Sequence, residues 1–254
     1  MASTRSGIQA KETARKGAYG IDAPYLLPIP IVLCLFNIIQ AILSRRFWPL
    51  FPASLILLAI ACGLHSSLRG KFVVWSDLLD RLKLHGDERI LDLGCGRGAV
   101  LLLAAERVAR GRAIGVDLWR KTDQSGNSVE ATRANAAAEG VLDRVELHTA
   151  DITALPFEPD SFDVVVSNLV FHNLKGRSAR RKATDEALRV LCPGGRLLIA
   201  DLFGTQALAN HLRQLGMINV QRENLGCRAW WSGPWLPTHL VSATKPCVPT
   251  RPAS

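Results

Sequence analysis

Apolar residues dominate two early stretches of this chain and then settle into regular alternation with polar ones. Residues 25–43 (YLLPIPIVLCLFNIIQAIL) run for nineteen positions without a charge, and residues 47–64 (FWPLFPASLILLAIACGL) for eighteen, with Arg45 and Arg46 between them. At 1.5 Å per residue, each run is long enough to cross a hydrocarbon layer of roughly 30 Å as a helix. Pro28 and Pro30 fall in the first turns of the first run, where proline is tolerated. Phe47 and Trp48 suit a membrane interface. The pattern predicts a two-helix transmembrane hairpin over residues 25–65. The competing reading is a hairpin buried against a soluble domain or a shallow re-entrant insertion, which Asn37, Gln40 and the prolines favour. Residues 1–24 are polar and basic and predict a disordered tail; their Ser, Thr and Arg content also fits a mitochondrial transit peptide.

Beyond the hairpin, residues 66–71 (SSLRGK) read as a basic linker into a domain over 66–254. Phe72, Trp75, Leu78, Leu79 and Leu82 repeat at helical spacing and predict an amphipathic helix over 72–84. Strand-like runs follow at 90–93, 113–116, 145–147, 164–167, 197–200 and 239–243. Helical patterns fall at 99–109, 128–139, 178–191 and 205–215. Such alternation predicts an α/β domain with a mostly parallel sheet covered on both faces. A ligand crevice belongs at the carboxyl ends of its first strands.

Charge and cysteine content narrow the partners. The net charge of +9 comes from scattered basic residues rather than one long run, which does not describe a nucleic-acid footprint. Attraction to an anionic membrane surface is a better use of the excess. The six cysteines are widely spaced, without CxxC or a Cys-His cluster. No metal site is expected, and the thiols are expected to be free in a reducing compartment.

The segment 89–100 (RILDLGCGRGAV) has the order of a buried strand, a glycine turn and a helix start. Glycine serves where the backbone takes a positive φ or a ligand lies against it. The first N–H groups of the helix offer partial positive charge. Residues 115–118 (GVDL) end the second strand with an acid about twenty residues beyond that turn, where a carboxylate can accept both hydroxyls of an adenosine ribose. That spacing suits NAD as well as other adenosine cofactors. The third strand ends in 149–152 (TADI). Asp151 can meet an adenine amino group there or cap a short turn of its own.

Together with PFEPDSFDVVVSNLVFHNL (156–174) and EALRVLCPGGRLLIADL (186–202), these segments resemble, in order and spacing, the motifs of class I S-adenosylmethionine-dependent methyltransferases of the small-molecule type. The resemblance covers residues 72–246, about seven-tenths of the chain. It implies a Rossmann-like class I methyltransferase sheet with an antiparallel last strand, supplied by 239–243 after a sixth strand near Val220. It implies S-adenosyl-L-methionine as the cofactor. Asp92, Gly94, Cys95 and Gly96 correspond to the methionine-binding segment, and a side chain at Gly96 would fill that space. Asp117 and Leu118 correspond to the ribose ligand and its neighbour, Asp151 and Ile152 to the adenine contacts, and Asn168 and Leu169 to the segment beside the sulfonium.

His172, just past the fourth strand, is either a general base for the acceptor or a residue lining the pocket. Residues 119–127 (WRKTDQSGN) read as a polar loop bordering the cofactor. Residues 225–237 (LGCRAWWSGPWLP) place Trp230, Trp231 and Trp235 in an acceptor wall, a membrane interface or a cover for the sheet edge. The expected function is a membrane-tethered methyltransferase of an apolar or amphiphilic small molecule, with the bilayer as its other partner and no nucleic acid. A soluble metabolite as acceptor, or a non-catalytic cofactor-binding subunit, are the alternatives; an NAD oxidoreductase is more distant. Because S-adenosylmethionine is made in the cytosol, the catalytic domain is expected to face it, with two spans. The Arg-Arg pair in the short connecting loop runs against the positive-inside preference if that loop is translocated.

Overall fold

The computed structural model describes residues 15–120 and 122–247. Its centre is a seven-stranded sheet in the order β3-β2-β1-β4-β5-β7-β6. The strands are β1 (Arg89–Leu93), β2 (Arg112–Asp117), β3 (Val145–Thr149), β4 (Phe162–Asn168), β5 (Leu191–Asp201), β6 (Ile218–Asn224) and β7 (His239–Thr244). β1 is flanked in parallel by β2 and β4, and β7 runs antiparallel to both β5 and β6. The mostly parallel sheet with an antiparallel last strand is thus as expected.

The side-chain period of two explains why the central strands are apolar throughout. Ile90 joins a core with Trp75, Leu79 and Leu101 on one face, whereas Leu91 and Leu93 join Phe162, Ala187 and Leu212 on the other. The covering helices are α3 (Lys71–Arg81), α4 (Ala99–Ala105), α5 (Val129–Glu139), α6 (Gly176–Val190) and α7 (Thr205–Gln214). α4 is shorter than its apolar pattern predicts. The chain turns off after Ala105 to bury Val108 completely and to hydrogen-bond Arg110 and Gly111 to the carbonyl of Gly86.

Two earlier helices precede the domain, α1 (Pro28–Ser44) and α2 (Leu50–His65). They pack on each other, with Cys34, Ala41 and Ala53 buried between them. Their outer faces are bare: Ile29 is 70% exposed and Leu43 79% on α1, and Phe51 69% on α2. Both have the length and apolarity of a membrane span.

Residues 66–71 are not a linker. Ser66–Gly70 forms a π-helical turn that joins α2 to α3, giving one helical run of 32 residues, Leu50–Arg81. Its composition reads as a linker because its stabilising partners are remote in sequence. Ser66 Oγ donates to the carbonyl of Trp230 at 2.6 Å, and Ser67 Oγ to the Asp22 carboxylate at 3.0 Å. Gly70 abuts the backbone so closely that a Cβ would overlap the carbonyl oxygen of Arg228.

A second correction concerns the tail. Residues 1–14 lie outside the described residues, but residues 15–24 form an ordered strap. The backbone N–H of Gly17 donates to Glu139 at 3.1 Å, and that of Ala18 to Asn135 at 2.8 Å. Tyr19 is buried, edge-on to Phe72 at 4.9 Å, and its hydroxyl donates to Glu139. Polar composition concealed these contacts because the hydrogen-bond partners, Asn135 and Glu139, lie more than a hundred residues away.

Gly70→Ala should destabilise the full chain by about 1–3 kcal/mol, since a methyl group cannot enter without moving α2 from the loop beneath it. A thermal unfolding midpoint lowered by several degrees is the expected reading; an unchanged midpoint would mean the junction is loose.

Candidate functional site

All ten residues expected to hold the cofactor line one crevice at the carboxyl ends of β1 to β4. Gly94, Gly96 and Gly98 each have positive φ (72°, 51° and 86°), as a tight turn from strand to helix requires. The backbone N–H of Gly96 donates to Asp117 at 2.8 Å, and that of Trp119 to the same carboxylate at 2.5 Å. Asn127 Nδ2 donates to it as well, at 3.3 Å. Of the four lone-pair positions of the carboxylate, one is therefore left for a hydroxyl, and a second hydroxyl would have to displace the long Asn127 bond. Gly96 departs from expectation in one respect. Its missing Cβ faces Gln124, 2.6 Å away, so the glycine makes room for the loop rather than for the ligand directly.

Asp92 is 1% exposed, and its Oδ2 is without a hydrogen-bond partner. Burial, reinforced by the charge of Asp117, pushes its pKa up to about 8. Burial likewise raises Asp117, and it raises the Cys95 thiol well above the usual range. An orphaned carboxyl at the bottom of a crevice is a natural partner for an ammonium group. The lining as a whole favours a cation: Asp22, Asp92, Asp117, Asp123 and Asp151 face only Lys71 and Arg120. A pyrophosphate would be poorly received there.

The remaining expected contacts are held from outside the crevice. Asn168 Oδ1 accepts the indole N–H of Trp75 at 2.9 Å. Leu169 has φ +60°, a left-handed conformation uncommon outside glycine. Asp151 accepts the backbone N–H of Thr153 at 2.8 Å, so it does cap its own turn while lining the crevice. Ile152 is buried, and Leu118 is 43% exposed at the rim.

His172 does not line this crevice. It stands in a second, largely apolar cavity of about 560 Å³, which meets the crevice at Leu169 and Asn173. Its Nδ1 lies 2.7 Å from Oδ1 of Asp201, and its backbone N–H donates to Oδ2 at 3.0 Å. Asp201, at the end of β5, is 1% exposed. The carboxylate assigns the ring proton to Nδ1 and leaves Nε2 as a free acceptor.

Several site residues escaped the sequence reading. Asp201 could have been found as another acid at a strand end, by the rule that located Asp117. Asp22 and Lys71 carry no local signal. They form an ion pair of 2.8 Å at the crevice edge, with Lys71 buried. Gln124 Nε2 donates to Asp22 at 2.7 Å, while its Oε1 accepts the backbone N–H of Arg97. This strap and loop narrow the crevice to about 150 Å³. The tryptophans divide their roles: Trp231 lines the apolar cavity and Trp235 is 66% exposed. Among the described residues there is no cluster able to hold a metal ion.

Residues 91–199 match the methyltransferase-domain family. A demethylmenaquinone methyltransferase of Clavibacter sepedonicus is 40% identical over 114 residues, 45% of this chain and 41% of the relative. A sterol 4-C-methyltransferase of Caenorhabditis elegans is 32% identical over 128 residues, 50% of this chain and 35% of the relative. The chain spans about half the length, or less, of most curated relatives it matches. The fold is that of solved S-adenosylmethionine-dependent methyltransferases. One from Aquifex aeolicus superposes with TM-score 0.54 at 18% identity, covering 67% of this chain and 88% of the other. The [4+2]-cyclase SpnF superposes equally well, at TM-score 0.55 and 20% identity over 68% of this chain and 81% of its own. The relatives support a class I S-adenosylmethionine-dependent methyltransferase domain, and S-adenosylmethionine is the cofactor that goes with it.

The raised pKa of Asp92 has a consequence for stability. Between about pH 4 and 8 the folded protein keeps a proton that the unfolded chain has lost, so ligand-free stability should fall as pH rises through that window. Asp92→Asn should flatten part of the slope, leaving a remainder from Asp117. Denaturant midpoints across the window test this, and identical slopes in both proteins would refute it.

Proposed function

We propose that the chain is a membrane-held S-adenosylmethionine-dependent methyltransferase that methylates an apolar or amphiphilic small molecule. The observation that supports this most is the junction of two unlike cavities. An acid-lined crevice suited to a cationic nucleoside opens, at Leu169 and Asn173, into an apolar cavity with a carboxylate-oriented histidine at its mouth. The two apolar helices have the length and composition of a two-span anchor, and the cytosolic origin of the cofactor is the reason to set the catalytic side there.

When bound, the cofactor supplies a methyl group on a sulfonium, which passes to the acceptor and leaves S-adenosylhomocysteine behind. The protein's part is alignment and exclusion of water. Asp92 takes the ammonium of the methionine half, and Lys71 stands within the same crevice for its carboxylate. Asp117 holds the ribose hydroxyls, Asp151 and Ile152 the adenine. Nε2 of His172 accepts the acceptor's proton, and Asp201 stabilises the imidazolium that results.

Transfer of radiolabel from S-adenosylmethionine into a membrane lipid extract is the direct test; no labelled product from any extract would remove the reading. His172→Asn should lower transfer by a factor of about 10²–10⁴ with little change in S-adenosylhomocysteine affinity. Full activity in that variant would return His172 to the pocket lining. Asp117→Ala should weaken S-adenosylhomocysteine binding by about 1–3 kcal/mol in calorimetry, and unchanged affinity would reassign the carboxylate.

A further inference from the structure

We infer that the hairpin is a wall of the acceptor site, and that the acceptor is a one-tailed amphiphile whose apolar chain lies between α1 and α2. The inference rests on the methyltransferase reading above and adds where the acceptor binds and what shape it has. The apolar cavity is walled by Pro30 and Leu33 of α1 and by Ile56, Ala59, Ile60 and Gly63 of α2. The α2 set follows the helical i, i+3, i+4, i+7 rule, so a single stripe faces the cavity. Seven residues of helix make that stripe about 10 Å deep.

The two ends of this cavity differ. His172, Asn173, Asp22 and Asp123 lie at the end that meets the cofactor crevice, and carbon lines the end between the helices. Further along, buried Cys34, Ala41 and Ala53 bring the helices together and close the groove. A ligand must therefore point its polar head at His172 and its tail into the hairpin. With Asp22 already paired to Lys71, the carboxylate of Asp123 makes an anionic head unfavourable, which leaves an uncharged or cationic one. A cavity of about 560 Å³ has to hold head and tail together, which suits one chain rather than two.

A mere tether would need no fixed position, and a flexible linker would serve. Here α2 is locked to the catalytic domain. At Gly63 a Cβ would stand 2.8 Å from the carbonyl oxygen of Trp231, and Ser66 bonds the carbonyl of Trp230. The groove and His172 are thus held in one frame, as a shared binding site requires. The opening between two helices with bare apolar outer faces also lets a bilayer-dissolved molecule enter sideways, without crossing water.

The test uses the full chain in lipid nanodiscs with S-adenosylhomocysteine bound, and para-ethylphenol and para-nonylphenol as short- and long-tailed probes. Ala59→Phe should weaken para-nonylphenol binding about tenfold or more by filling the groove, while para-ethylphenol and S-adenosylhomocysteine bind as before. Leu57→Phe, on the outer face of the same helix (Leu57 is 60% exposed), should change neither. In a second measurement, a nonylphenol bearing a diazirine at its tail should label residues of α1 and α2 that line the groove, and nonyl phosphate should compete poorly. Equal para-nonylphenol affinity in wild type and Ala59→Phe, equal loss for both probes, or labelling confined to the outer lipid-facing side would overturn the inference. Failure of the wild type to bind S-adenosylhomocysteine would count against the methyltransferase reading instead, and the photolabel pattern would still decide the groove.

Discussion

The carboxylate of Asp22 joins three parts of the molecule that are far apart in sequence. It accepts the hydroxyl of Ser67 and the ammonium of Lys71 at the foot of the long helix, and the amide of Gln124 from the loop after β2. Gln124 in turn accepts the backbone N–H of Arg97 in the glycine turn. The strap, the long helix and the cofactor loop are therefore tied at one partly buried charge. A charge in that position is tolerated only while it is paired, so the three segments are expected to hold or yield together. The narrowness of the crevice follows from the same knot, since Asp22 and Gln124 are what constrict it.

The sheet was legible because its residues speak locally. Ile90, Leu91 and Leu93, buried on both faces of β1, leave a run that reads as a central strand without further context. The strand-end acids were legible for a similar reason: Asp92 and Asp117 sit at fixed distances from a glycine turn. What failed was every feature whose meaning depends on a distant partner. Ser66, Ser67, Gly70 and Lys71 look like a solvated linker until Arg228, Trp230 and Asp22 are placed against them. Tyr19 and Gly17 look like a tail until Glu139 and Asn135 arrive. His172 was found but not explained, because Asp201, which orients it, lies 29 residues on.

The two cavities divide the chemistry by solvent character. One is lined by acids around an orphaned carboxyl, the other by carbon, and only a few residues belong to both. The strained Leu169, at φ +60°, stands at that seam. Backbone strain of this kind persists only where the surroundings enforce it; here the N–H of Leu169 is held by the carbonyl of Ala200. The seam thus has a fixed shape in a region that otherwise changes abruptly from polar to apolar.

The helix Leu50–Arg81 is a rigid lever with one arm among bare apolar residues and the other inside the catalytic core. In a bilayer, the first arm would adjust its tilt to the hydrocarbon thickness. The π-helical turn between the arms is pinned by the carbonyl of Trp230 and the carboxylate of Asp22, so that tilt would be passed on to Trp75, and with it to the Asn168 that Trp75 holds. Membrane thickness would then set the height and attitude of the cofactor crevice above the lipid, making its reach a property of the bilayer as much as of the protein.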